Sequence, residues 1–145
     1  MKAVVQRVSK ARVLVDKKLI SQIGPGFLVF LGVAKDDKEE NTDLMVKKIA
    51  ALRILSDSKG KMNKSIQDSN GEILLVSQFT LLGNCKKGNR PSFINAARPE
   101  KAKKYYDLFC KKLGSMGLKV KTGVFQAYME VEFVNDGPVT IILEN

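Results

Sequence analysis

The chain has 145 residues, 44% of them hydrophobic and 28% charged, which is the size and balance of one globular domain with its own core. Its 25 Lys and Arg against 15 Asp and Glu leave a net charge of +10, so it either meets a polyanionic partner or carries a solvated cationic surface. It has no histidine, which excludes a Ser-His-Asp or Cys-His catalytic unit and most zinc-hydrolase sites.

No apolar run approaches the roughly 18–20 residues of a membrane helix. The opening residues 1–10 hold no signal-peptide apolar region, so the expected location is the cytoplasm. Cys85 and Cys110 stand in no paired motif and read as free thiols. Neither a metal nor a cofactor is expected.

Residues 2–8 alternate as a strand. Residues 11–15 and 19–23 read as a hairpin turning at Asp16-Lys17-Lys18. Gly24-Pro25-Gly26 is a turn before a nearly all-apolar central strand at 27–33. The period then changes. Asp37 with Glu40 fits a capping box, and Met45, Ile49 and Leu52 form an apolar stripe, so a helix is expected over 38–54. A short strand at 64–68 and a strand at 72–82 follow. Pro99 suits the first turn of a second helix, with Ala102, Tyr105, Tyr106, Phe109 and Leu113 on its buried side. Strands at 118–122, 127–134 and 138–143 complete the chain. Few links suit parallel crossovers, so the expected fold is one α+β domain over 1–145. It has a mainly antiparallel, barrel-like sheet and two flanking helices.

Two stretches break this apolar pattern. Ser77-Gln78-Phe79-Thr80 interrupts the strand at 72–82, where each unpaired buried polar group would cost about 1–3 kcal/mol. Local backbone hydrogen bonds satisfy one such residue easily. Three together favour a strand that delivers polar groups to a site. Gly137-Pro138 opens the last strand, although proline cannot donate to a sheet ladder. It is either a launching turn or a fixed loop presenting carbonyls to a ligand.

Ser77-Gln78-Phe79-Thr80-Leu81 and Asn135-Asp136-Gly137-Pro138-Val139-Thr140 resemble the two signature motifs of the D-aminoacyl-tRNA deacylases. Residues 3–8, 30–33 and 86–93 resemble the same family, so the likeness spans essentially the whole chain. It implies a homodimeric hydrolase that cleaves D-amino acids from the terminal adenosine of tRNA, with glycyl-tRNA as a second substrate. Ser77, Gln78, Phe79 and Thr80 inherit the catalytic strand. Gly137 and Pro138 inherit a cis turn that enters the partner's pocket, holds the substrate amine and excludes an L side chain. Val139, Thr140, Met129, Phe125 and Arg7 are the further candidates for substrate binding, and Lys86, Lys87 and Arg90 for tRNA. The chain departs from the usual family pattern at Gln126 and Tyr128, where many members have Gly and Asp, and at Asn89, where many have Arg.

Without histidine, the expected mechanism is substrate-assisted. The ribose hydroxyl beside the ester helps the attack, and the amides of Phe79 and Thr80 form an oxyanion hole. Thr80 and Gln78 support it. The alternative makes Thr80 a covalent nucleophile, with no base near it in sequence. Three rivals remain: a non-catalytic RNA-binding protein, a related deacylase of altered chirality, and a small-molecule hydrolase with a Ser or Thr nucleophile.

Overall fold

The computed structural model describes residues 1–145. The chain runs through β1 (Lys2–Val15), β2 (Lys18–Ile23), β3 (Gly26–Gly32), α1 (Glu39–Ala50), β4 (Leu55–Ser56), β5 (Met62–Lys64) and β6 (Glu72–Ser77). A 3-10 turn (Phe79–Leu82), α2 (Pro99–Ser115), β7 (Lys119–Thr122) and β8 (Glu130–Glu144) follow. The β1–β2 hairpin turns where expected. Asp16 and Lys17 both take positive φ, 48° and 62°, which matches the twist of the flanking strands.

The sheet is mixed rather than mainly antiparallel. β1 pairs antiparallel with β2, β3 and β8, but β3–β6 and β6–β7 are parallel. The two helices are themselves the crossovers: α1 lies between β3 and β6, and α2 between β6 and β7. The long β1 serves two neighbours along one edge, with β3 against residues 2–8 and β2 against residues 11–15. This brings β2 round towards β7, where Ser21 Oγ donates to the Thr122 carbonyl at 2.8 Å. The sheet is thus nearly a closed barrel.

Both helices cover one face. Met45, Val46 and Ile49 of α1 and Tyr106, Phe109 and Leu113 of α2 pack on Ala3, Val5, Phe27, Val29, Leu31, Ile73 and Leu75. Each fully buried side chain of this size stabilises the fold by roughly 1.5–3 kcal/mol. The opposite face holds a smaller cluster, with Val8, Val13, Leu28, Leu74 and Val76 among its members.

Helix α1 ends at Ala50, earlier than its pattern suggests, and Lys38 rather than Asp37 occupies its N-cap. The Lys38 amide donates to Asn41 Oδ1 at 2.9 Å. Asp37 instead accepts the Met1 nitrogen at 2.6 Å and the Ala34 amide at 2.6 Å. The short strand expected at 64–68 lies earlier, at β5, paired with β4.

Two corrections bear on the site. The strand expected over 72–82 stops at Ser77, and Phe79–Leu82 coil into a 3-10 turn. Gln78 and Thr80 therefore do not share a pleated face. Gly32 makes this possible, because a Cβ there would overlap Leu82 Cδ2 and press on the Gln78 backbone oxygen at 3.0 Å. Gly32→Ala should push the turn off β3. Overpacking of this kind typically costs about 1–3 kcal/mol, so Tm should fall by roughly 3–10 °C in a thermal melt. An unchanged Tm would show that the turn tolerates the methyl group.

The second correction concerns the strands expected at 127–134 and 138–143, which are one strand, β8, beginning at Glu130. Between the pairs Gln6↔Thr140 and Val8↔Asn135, β1 advances two residues while β8 advances five. Gly137-Pro138 lies in the resulting bulge, where proline has no ladder bond to lose.

Candidate active site

The end of β6 and the 3-10 turn open onto a cavity of about 670 Å³. Its wall comes from four segments: Leu31 and Val33 at the end of β3, Val76–Phe79, Phe93 to Tyr106, and Phe125 to Val131. None of the 18 lining residues is charged. The Tyr106 hydroxyl donates to the Leu75 carbonyl at 2.7 Å, and burial pushes its pKa upward, so it stays a neutral part of the wall. Phe125 leans on Tyr106 with ring centroids 5.8 Å apart. At the mouth, Phe79 meets Phe93 edge to face at 5.0 Å, and both rings are partly exposed.

Ser77, Gln78, Phe79, Phe125 and Met129 line this cavity. Thr80 sits on the turn beside it, exposed, and its Oγ1 accepts a hydrogen bond from Gln78 Nε2. That partner is a donor and cannot take the hydroxyl proton. The amides of Phe79 and Thr80 open the 3-10 turn, and neither reaches an acceptor in the chain. Cys110 is half-buried in α2, and burial pushes its thiol up to about 11, away from thiolate chemistry. No three Cys, Asp or Glu side chains converge to hold a metal ion.

The second group of candidates assembles elsewhere. Arg7 Nε donates to the Asp136 carbonyl at 2.9 Å and lies 3.2 Å from the Asp136 carboxylate. Arg7 Nη1 donates to the Ile54 carbonyl at 2.9 Å. Across the bulge, Asn135 Nδ2 donates to Gln6 Oε1 at 2.6 Å, and Asn135 Oδ1 accepts the Val139 amide at 2.8 Å. Thr140 Oγ1 accepts from Asn135 Nδ2 at 3.2 Å. The Gly137-Pro138 bond is cis. The bulge is thus braced from both sides, yet none of Arg7, Gly137, Pro138, Val139 and Thr140 lines the cavity of its own chain.

Lys86, Lys87 and Arg90 lie exposed on a loop closed by the Asn84↔Ser92 bridge. This loop runs directly into Phe93 at the cavity mouth. Sequence reasoning missed Phe93, Pro99 and Tyr106 as wall residues. The apolar stripe of α2 was visible, but nothing local told which of its members face a cavity.

A family profile described as D-Tyr-tRNA(Tyr) deacylase matches residues 4–144. The chain belongs to this family. It is 58% identical over 144 residues to the D-aminoacyl-tRNA deacylase of Dictyoglomus turgidum, covering 99% of this chain and 92% of that one. It is 54% identical to that of Thermotoga petrophila, covering 100% and 97%. Among solved structures, one titled c-Myc DNA Unwinding Element Binding Protein superposes with a TM-score of 0.94 at 46% identity, covering 100% and 99%. Another, titled as a probable eukaryotic D-amino acid tRNA deacylase, shares the fold with a TM-score of 0.85 at 18% identity, covering 98% and 97%.

Proposed function

We infer that the protein hydrolyses the ester of D-aminoacyl-tRNA, releasing the D-amino acid and the tRNA, and spares L-aminoacyl-tRNA. The observation that carries this reading is an uncharged cavity edged by two unpaired amides. An aminoacyl ester is already reactive and needs orientation and charge stabilisation more than a strong base. The cavity volume suits the terminal adenosine. The Phe79 and Thr80 amides receive the negative charge that develops on the ester oxygen as water attacks. The ribose oxygen leaves with a proton relayed through its neighbouring hydroxyl. Gln78 and Thr80 hold the turn in shape. Because the wall provides no acidic or basic side chain, Thr80 lacks the base that a covalent nucleophile needs. Glycyl-tRNA, with no side chain to exclude, is the second substrate.

Chirality falls to the Gly137-Pro138 bulge of a second copy. The bulge is exposed, braced and outside its own chain's cavity, and β8 exposes Phe133, Val134 and Ile142 on either side of it. A homodimer would bury those side chains and bring the Gly137 and Pro138 carbonyls to the substrate amine. Exclusion by clash discriminates more strongly than loss of one apolar contact, which gives about 1–3 kcal/mol. No helix is long and apolar enough to cross a membrane, and the substrate places the enzyme's work in the cytoplasm.

The net charge of +10 equally suits a non-catalytic RNA-binding protein, and one experiment separates the two. D-tyrosyl-tRNA and L-tyrosyl-tRNA are each incubated with the purified protein. The D ester should disappear at least about 100-fold faster, the equivalent of roughly 2.7 kcal/mol. If neither ester is cleaved while tRNA stays bound, the RNA-binding reading replaces this one.

A further inference from the structure

Tyr128 lines the cavity and is yet 89% exposed, so its ring stands at the mouth with almost no protein against it. A mobile side chain on a loose loop would need no explanation, but its backbone is held. The Ala127 amide donates to the Val124 carbonyl at 3.2 Å, and Gln126 takes a φ of +64° to close that turn. Phe125 on one side is packed on Tyr106, and Met129 on the other lines the cavity wall. The turn therefore presents an aromatic ring to solvent from a braced support.

A second observation points to what the ring meets. The loop bearing Lys86, Lys87 and Arg90 leads into Phe93, whose ring packs on Phe79 at the same mouth. Exposed aromatic rings beside a cationic loop are the usual equipment for single-stranded nucleic acid. The bases stack on the rings, and the cations follow the phosphates. The inference rests on the deacylase reading, which places the terminal adenosine inside the cavity. The nucleotide just before it must then pass the mouth.

We propose that Tyr128 is a binding residue for the unpaired 3′ end of tRNA, stacking on the base that precedes the terminal adenosine. An aromatic platform accepts any base, so the contact adds affinity without reading sequence. It also separates tRNA from a bare aminoacyl nucleoside, which ends before reaching the ring.

Tyr128→Ala and Tyr128→Phe are compared with the unaltered enzyme on two substrates, D-tyrosyl-tRNA and D-tyrosyl-adenosine. Stacking on one base corresponds to about a fivefold to hundredfold change in binding. Tyr128→Ala should raise KM for D-tyrosyl-tRNA by that factor with kcat nearly unchanged. On D-tyrosyl-adenosine it should match the unaltered enzyme, and Tyr128→Phe should restore the tRNA value. Equal loss on both substrates would overturn the proposal, because the ring would then serve the adenosine or the fold. So would no change on either substrate. A shift in oligomeric mass of Tyr128→Ala by light scattering would also overturn it, assigning the ring to a subunit contact. Failure of the unaltered enzyme to cleave either ester would instead sink the deacylase reading itself, and this inference with it.

Discussion

D-tyrosyl-tRNA whose terminal adenosine lacks the 2′-hydroxyl should resist the enzyme, with a single-turnover rate reduced about 10³-fold or more. The cavity wall carries no charged side chain, the chain has no histidine, and Thr80 Oγ1 is engaged by the Gln78 amide. On the proposed mechanism, the group that moves a proton at the ester is the substrate's own hydroxyl. Well-placed intramolecular groups reach effective molarities of about 10⁵–10⁸ M, so its loss is costly. Thr80→Ala should lose far less, within about tenfold. It removes one neutral hydrogen bond, worth about 0.5–1.5 kcal/mol, and leaves both turn amides in place. The reverse pattern, a dead Thr80→Ala and a cleaved deoxy substrate, would establish Thr80 as the nucleophile.

The second large effect is expected from Gly137→Ala. At a φ of +135°, Gly137 occupies a backbone region that L side chains rarely adopt. A Cβ there would lie 2.7 Å from Val139 Cγ2 and 2.9 Å from Arg7 Nη2. Either the bulge moves or Arg7 leaves its position between Asp136 and Ile54. The bulge carbonyls, which the proposed homodimer would bring to the substrate amine, would shift by several tenths of an ångström. We expect D-tyrosyl-tRNA hydrolysis to fall about 100-fold and the ratio of D to L rates to collapse towards unity. A misplacement of about 1 Å at a reacting centre has this size of effect. The bulge is exposed, so circular dichroism should remain that of the unaltered protein, while the strained φ lowers Tm by a few degrees. A folded variant with an unchanged D/L ratio would remove the bulge from chiral selection.

Much of the architecture was legible from local pattern. The 3.6-residue stripe of Met45 and Ile49, and that of Tyr106, Phe109 and Leu113, located both helices because a helix must bury one side. The Asp16-Lys17 turn was equally clear. The polar interruption at Ser77 to Thr80 also marked a real feature, although its shape was misread. The 3-10 turn there packs over Gly32, a residue far earlier in the chain whose missing side chain leaves room for Leu82. No window around Thr80 contains that information.

By itself the sequence determined the absence of imidazole chemistry, the two helices, and the motifs that place the chain in its family. These depend on residue identity and short-range period, which are written along the chain. The tertiary structure decided the parallel pairing of β3, β6 and β7, since strand neighbours follow from how the crossover helices pack and not from any strand's own residues. It also decided that Gly137-Pro138 interrupts a single strand, because a bulge exists only relative to the partner strand it falls out of step with. Above all it separated the two motifs. The end of β6 faces a cavity that the bulge of the same chain does not reach. Distance between residues is a property of the folded chain, and no order of amino acids states it directly.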